Sequence, residues 1–337
     1  METSDKPPDA PTYRILSIDG GGIKGVLPAS FLATLEEQLD GPIGQYFDLI
    51  AGTSTGGIIA IGLAMGIPAK DLLTLYTERG PRIFGQAESG IKGRLADCWR
   101  GFKHTFTAKH DADLLREELE AVLGDRRISD AQTRLLIPAW DADHRSVYIY
   151  KTAHHERLKH DYRLLAVDAA MATAAAPTYY RRHRTAEHVG LLDGGIWANN
   201  PIALAVVEAI TLLGWPSDRL QVLSLGCGSE TYMLGEAPGW GSLAWDAARL
   251  FFDGQSHGAN GMAKLLTGHE HTRDAIYRYC PAVPKDFFKL DDTRRASQLS
   301  GMGASAARKA RPKLDPVFFA QPIEPFEPIY SLEGDHR

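Results

Sequence analysis

Phe47-Asp48-Leu49-Ile50-Ala51-Gly52-Thr53-Ser54-Thr55-Gly56 is an apolar run that ends in a Gly-x-Ser-x-Gly pattern, and its reading decides the fold class. Phe47 to Ala51 predicts a short buried strand, and the chain turns helical from Gly56 onward. A serine between glycines at a strand-to-helix junction is the setting of a nucleophile elbow. There the glycines allow a sharp, strained turn that lifts the hydroxyl out of the sheet. The helix start that follows offers free N–H groups and the positive end of its dipole, both favourable to an oxyanion. With 33 glycines in 337 residues the pattern alone is weakly specific, so its placement gives it weight.

Outward from this junction, apolar runs alternate with amphipathic segments, the pattern of helices layered on a largely parallel sheet. Tyr13 to Asp19 reads as a buried strand and Gly20 to Gly25 as a loop. Leu27, Phe31, Leu35 and Leu39 then fall on one face of a helix, with Pro28 in its first turn. Asp111 to Leu123 reads as a helix capped by Asp111 and ended by Gly124. Leu135 to Trp140 and Val147 to Tyr150 form a hairpin, and Leu164 to Ala176 an Ala-rich helix stopped before Pro177. Val189 to Leu192 leads into Asp193-Gly194-Gly195, Pro201 to Leu213 is helical, and Gln221 to Leu225 is the last clear strand. The remainder reads as more irregular and rich in Gly and Arg. The expectation is a three-layer α/β/α fold with a central, mostly parallel sheet: a disordered leader over 1–12, a catalytic domain over 13–227, and a C-terminal elaboration over 228–337 packed on that domain, with a lid or regulatory role left open.

Composition narrows the function classes. Hydrophobic residues make up 44% and charged residues 23%, the balance of a folded globular protein. A net charge of −5 gives no general attraction to nucleic acid or anionic lipid, and no nucleic-acid polymer is expected as partner. Cys98, Cys227 and Cys280 are odd in number and far apart, which indicates neither a disulfide framework nor a thiolate metal site. Met1 to Thr12 is polar with no signal-peptide core, and Ile58 to Ala69 is too short and too interrupted to span a bilayer. These features predict a cytoplasmic protein that would reach a membrane lipid peripherally, from the inner face.

Three motifs carry chemistry. In Asp19-Gly20-Gly21-Gly22-Ile23-Lys24-Gly25, backbone N–H groups can approach developing negative charge, as an oxyanion hole requires. The same glycines spell Gly-x-Gly-x-x-Gly, so a non-catalytic nucleotide-binding protein is a rival reading. Against it, the place of the ribose-binding acid after the second strand is taken by Gly52-Thr53-Ser54. Asp193-Gly194-Gly195 brings a carboxylate to a strand end, although Asp-Gly is also a common turn. His269-Glu270-His271 lacks the spacing of a metal site and reads as a solvated loop; no metal or cofactor is expected. An esterase triad would recruit His257, His269 or His271. Between Ile91 and His110, Lys92, Arg94, Arg100, Lys103 and Lys109 interleave with Trp99, Phe102 and Phe106, which suits phosphates and base faces or simply a solvated helix.

Taken in order, these motifs resemble the patatin-like phospholipases: a Gly-rich loop at Asp19 to Gly25, an elbow at Gly52 to Gly56, a late Asp193 to Gly195, and an Ala-Pro-Thr-Tyr stretch within Ala174 to Tyr180. The likeness covers about Tyr13 to Cys227. It implies Ser54 as nucleophile and Asp193 as its base in a dyad without histidine, Gly20, Gly21 and Gly22 as oxyanion hole, and a basic residue at Lys24, either as a contact for lipid phosphate or as the partner of a surface carboxylate. The implied reaction is metal-free hydrolysis of phospholipid acyl esters through an acyl-enzyme. In layout the chain also looks like bacterial patatin-like effectors of cyclic-oligonucleotide antiviral defence. That likeness implies a switch by a cyclic dinucleotide held at Arg94, Trp99, Arg100 and Lys103, through an opened lid or a homo-oligomer assembled on activation.

Overall fold

The computed structural model describes residues 11–83, 111–231, 240–284 and 293–332. β1 (Tyr13–Ile18) is an apolar run whose last four residues are all buried, as in a strand covered on both faces. A 3-10 turn (Gly22–Gly25) leads into α1 (Val26–Glu36), and β2 (Leu49–Gly52) passes through Thr53 and Ser54 into α2 (Thr55–Ala64) and then α3 (Ala69–Thr77). α4 (Ala112–Leu123) is closed at both ends as its sequence predicts: the Asp111 carboxylate accepts from Asp113 N at 2.9 Å, and Gly124 takes a φ of 62°. β3 (Arg134–Asp141) and β4 (Ser146–Lys151) make the hairpin. α5 (Ala166–Thr173), β5 (His183–Arg184), β6 (Gly190–Asp193), α6 (Ile202–Thr211) and β7 (Leu220–Leu225) follow. Then come β8 (Ser229–Thr231), α7 (Trp240–Thr267), β9 (Ile276–Tyr279), β10 (Ala282–Pro284) and α8 (Ala296–Leu314).

The sheet runs β5-β6-β3-β2-β1-β7-β9, with β4 also paired to β3. Pairings β2–β1, β1–β7, β2–β3 and β7–β9 are parallel. Alternate residues of the central strands divide between two cores. Leu16, Ile18, Ile50, Ile137 and Leu223 face α1, α2, α5 and α8, while Ile15, Ala51, Leu136 and Val222 face α6 and α7. The three-layer α/β/α architecture is therefore present, set by the period of two along buried strands.

One detail of register positions the site. Leu136 of β3 pairs with Ala51 of β2 and with Lys151 of β4, and Asp141 pairs with Ser146 of β4 and with Leu191 of β6. A strand has two edges, so β4 takes one edge of β3 while β2 and β6 share the other. β2 runs parallel to β3 as far as the level of Leu136, and β6 runs antiparallel as far as Ala139. Their C-terminal ends meet head to head.

Three expectations are corrected. α1 is buried on nearly every side, not along one stripe, because α8 lies over its outer surface and Ser30 Oγ donates to Ser300 O at 2.7 Å; Leu39 falls beyond the helix. The Ala-rich helix ends at Thr173, and Ala175 C=O is turned to accept from Asp193 N at 3.0 Å. The chain after Cys227 holds the 28-residue α7, the 19-residue α8 and β9, which joins the main sheet beside β7. Among the described residues, no helix is long and apolar enough to cross a membrane.

A buried charge network ties the α6 layer to the hairpin. Glu208 of α6 accepts from Lys151 Nζ at 2.7 Å and from His154 Nε2 at 2.9 Å, and Thr152 Oγ1 lies 2.8 Å from His154 Nδ1. Burial alone would push the Glu208 carboxyl up, but His154 and Lys151 together hold it below its usual range. Removing one partner of such a set leaves the others buried and uncompensated. Glu208→Ala should cost about 3–5 kcal/mol in urea unfolding, whereas a change below about 1 kcal/mol would show that the network does not hold this layer.

Candidate active site

Ser54 sits between β2 and α2 with φ 55° and ψ −126°, a backbone region costly for any residue with a side chain. The turn is tight because its neighbours are glycines. A Cβ on Gly52 would run into Gly56 O, and one on Gly56 would lie 2.5 Å from Ile18 O and 2.6 Å from Asp19 O. The elbow is held from three directions. Ser54 N donates to Thr173 Oγ1 at 3.0 Å, Thr173 Oγ1 donates to Pro138 O at 2.6 Å, and Thr53 Oγ1 donates to Ala198 O at 2.6 Å. Ile58 N accepts the role of first helical donor, bonding Ser54 O at 3.1 Å.

Asp193 ends β6 facing this turn. Its side chain is buried, its Oδ1 accepts from Gly195 N at 2.6 Å, and the Ser54 side chain is near enough to favour its ionised form. Among the described residues no cation pairs with it. Burial accordingly pushes the carboxyl up to about 6, with Ser54 and the Gly195 N–H opposing that rise only in part. A serine on a strained elbow thus stands by a carboxyl whose pKa burial has raised towards neutrality.

The Gly-rich loop lies alongside. Gly20 N donates to Asn199 O at 2.9 Å, so its N–H is already engaged, while Gly21 and Gly22 open the 3-10 turn, where N–H groups have no helical acceptor. Lys24 is in the same turn and half-buried. Asp19, at the head of the loop, is gripped by Arg278 of β9 through Nη2–Oδ2 at 2.6 Å and Nη1–Oδ1 at 3.2 Å, and Arg278 Nη1 also donates to Ser224 Oγ at 2.6 Å. Asn199 N donates to Gln255 Oε1 of α7 at 2.6 Å, and Cys227 Sγ donates to Asp19 O at 3.2 Å. Thr173, Asn199, Gln255 and Arg278 were not picked out in the sequence. Thr173 alone had a local signal, lying in the Ala-rich run that precedes Ala-Pro-Thr-Tyr.

The candidate histidines stand elsewhere. His257 lines a cavity of about 460 Å³ with Asn260, Lys264 and Arg278. His269 is buried, not solvated, and its Nδ1 accepts from Ala275 N at 3.0 Å and Ile276 N at 3.2 Å, which corrects the loop reading. His271 is exposed. None is a partner of the Asp193 carboxylate among the described residues. No group of three or more metal-ligating side chains occurs among those residues. Arg94, Trp99, Arg100 and Lys103 lie outside the described residues.

Comparison with known proteins gives this geometry a family. A cGAMP-activated phospholipase of Pseudomonas aeruginosa is 41% identical over 217 residues, which is 64% of this chain and 62% of that protein, so the chain spans less than two thirds of that relative's length. Patatin-like protein 1 of Arabidopsis thaliana is 30% identical over 341 residues, 88% of this chain and 79% of that protein. The solved structure of VipD from Legionella pneumophila aligns with a TM-score of 0.42 at 11% identity, covering 89% of this chain and 67% of that one. The family model described as patatin-like phospholipase matches residues 16–206, from β1 into α6 and across the elbow, the Gly-rich loop and Asp193. The chain belongs to the patatin-like phospholipase family.

Proposed function

We propose that this protein is a serine lipid acyl hydrolase of phospholipase A type working through a Ser54–Asp193 dyad. The observation that carries the reading is the meeting of the strained Ser54 elbow with the buried Asp193 carboxylate, which has no cation beside it among the described residues. Ser54 Oγ attacks the ester carbonyl as its proton passes to Asp193. The tetrahedral oxyanion develops beside the Gly21 and Gly22 N–H groups and the start of α2, a dipole arrangement fixed before the substrate arrives. Collapse breaks the ester bond, and the leaving alcohol takes the proton from Asp193. Water then attacks the acyl-Ser54 ester, giving its proton to Asp193, and the fatty acid departs as Ser54 recovers its hydrogen. An acceptor poised near 6 suits both directions of transfer. Lys24, half-buried in the Gly-rich turn, supplies positive charge for a lipid phosphate.

A fluorophosphonate probe, applied in chelator, should label Ser54 and nothing else; labelling that persists in Ser54→Ala would end the reading. Asp193→Asn should lower kcat on a phospholipid by ~100-fold or more while single substitutions of His257, His269 and His271 leave most of it. An active Asp193→Asn would instead support a Ser-Asp-His esterase.

The titration of Asp193 has a stability consequence of definite sign. A folded value raised to about 6 from an ordinary 3.8 means that the folded state binds this proton more tightly than the unfolded chain. Its contribution is therefore full below about pH 4 and lost as pH rises through 6. At pH 7 and above the ionised carboxylate costs about 3 kcal/mol, which Asp193→Asn removes. The variant should melt higher than wild type at pH 7.5 and equally at pH 4, and kcat/KM of the wild type should rise with pH through about 6. A variant that melts lower at both pH values would show that the carboxylate is not strained by burial.

We further propose that a cyclic dinucleotide switches the enzyme on, by an opened lid or an assembled homo-oligomer. Support comes from relatives in Pseudomonas aeruginosa and Escherichia coli described as cGAMP-activated phospholipases. A ligand activates only by binding the competent state more tightly, so about a 100-fold rate gain requires at least that preference. Titrating cGAMP should give heat in calorimetry and raise phospholipid hydrolysis from a low baseline, with a mass increase in light scattering if assembly is the device. A panel of cyclic dinucleotides that neither binds nor changes the rate would remove the switch and leave the Ser54 chemistry intact.

A further inference from the structure

The outer face of α7 is unusual for a surface helix. Among the described residues, six of eleven exposed large apolar side chains belong to it: Leu250, Phe251, Phe252, Met262, Leu265 and Leu266. Phe251 is 76% and Leu265 73% exposed. At ~100° per residue, Leu250, Phe251, Gly254, Gly258, Gly261, Met262, Leu265 and Leu266 span an arc of about 160° of the helix circumference, with Gln255 as the one other residue within it, near the edge. That arc carries no Asp, Glu, Lys or Arg; Asp253 and Lys264 fall at its margin. Patches of this kind on a folded surface mark contact with another apolar body.

The same helix is bonded to the active-site frame from the edge of this arc, at Gln255, and from its far side, at Ser256. Gln255 holds Asn199 N, and Ser256 Oγ accepts from Asn200 Nδ2 at 3.2 Å and from Arg278 Nη2 at 3.4 Å. Ala259 and Ala263 are buried in the core beneath. The turn Gly195–Ala198, which begins two residues after Asp193, packs on α7 and exposes Ile196. Ile196, three residues from Asp193, thus adds an exposed apolar side chain on a turn that packs against α7.

We propose that the outer face of α7, extended by Ile196, docks on the surface of a lipid bilayer and sets the Ser54 site against it. The proposal rests on the lipid acyl hydrolase reading for its choice of partner. Charge argues for the same partner: an arc without ionic groups, on a chain of net charge −5, matches a zwitterionic or neutral interface and has nothing to recruit anionic lipid. Gly254, Gly258 and Gly261 have open space where a Cβ would stand, so a helix from a second copy is the competing occupant. Proximity to Asp193 favours the bilayer, since docking there shortens the path of an acyl chain to Ser54.

Flotation with phosphatidylcholine vesicles tests this, using wild type, Ser54→Ala and the double variant Phe251→Ser/Leu265→Ser, each with and without cGAMP. Wild type and Ser54→Ala should float equally, with little change when salt is raised to about 0.5 M. The double variant should lose at least tenfold in vesicle partition and in vesicle hydrolysis, yet keep wild-type turnover of a soluble short-chain ester, which also reports its folding. Unchanged flotation of the double variant overturns the proposal, as does binding abolished by salt. A dimer in light scattering that the two substitutions dissolve while flotation persists assigns the face to a second copy. If wild type hydrolyses neither ester, the hydrolase reading fails, and flotation of Ser54→Ala against the Phe251→Ser/Leu265→Ser variant still decides the docking.

Discussion

Two strands meeting head to head along one edge of β3 create the site. β2 and β6 come from distant parts of the chain and run in opposite directions, and the gap between their ends falls at Ile137 and Pro138. Into that gap project Ser54 from one side and Asp193 from the other. Proline is normally excluded from a central strand because it lacks an N–H to give its neighbour. Here Pro138 faces the gap, where no strand waits for a donor, and its carbonyl accepts the Thr173 hydroxyl that in turn receives Ser54 N. Gly194 has no room for a side chain for the same reason, since a Cβ would strike Pro138 O. The break in pairing that would weaken an ordinary sheet is filled by the elbow and its supports.

Two buried aspartates near this gap have different partners. Burial raises the Asp19 carboxyl above its ordinary range, and the two-pronged bond to Arg278 opposes that rise only in part. Burial raises Asp193 too, and among the described residues no cation opposes it. A guanidinium beside Asp193 would keep it ionised and make it a poor proton acceptor at neutral pH. The ion pair of the first residue fixes the Gly-rich loop against β9, whereas the second is left free of a cation among the described residues, which suits the proton-acceptor role proposed for it.

Elements whose signals are local were legible in the sequence. Gly-x-Ser-x-Gly, the Asp111 and Gly124 caps and the alternating cores of β1, β2 and β7 each depend on residues within a few positions. What was missed depends on distant partners. α7 holds Gly254, Gly258 and Gly261, each about 1 kcal/mol less helix-favouring than alanine, so its pattern read as irregular. β9 is a four-residue strand with Arg278 inside it, and only the waiting edge of β7 and the Asp19 carboxylate make that arginine tolerable there. The buried state of His269 rests on the N–H groups of Ala275 and Ile276, at the entry to β9. α1 was expected to show a wet face because α8, which covers it, lies more than 250 residues further along the chain.

The C-terminal third is consequently part of the site's construction. Two bonded routes lead from the Gly-rich loop to α7: Gly20 through Asn199 to Gln255, and Asp19 through Arg278 to Ser256. Both end within two adjacent residues of the helix, one turn from Phe251 and Phe252. They converge on the adjacent residues Asp19 and Gly20, so the Gly-rich loop beside Ser54 is held by α7 and β9 as well as by the strand it follows. Residues far along the chain therefore fix the loop, while the elbow itself is held by Thr173 and Thr53.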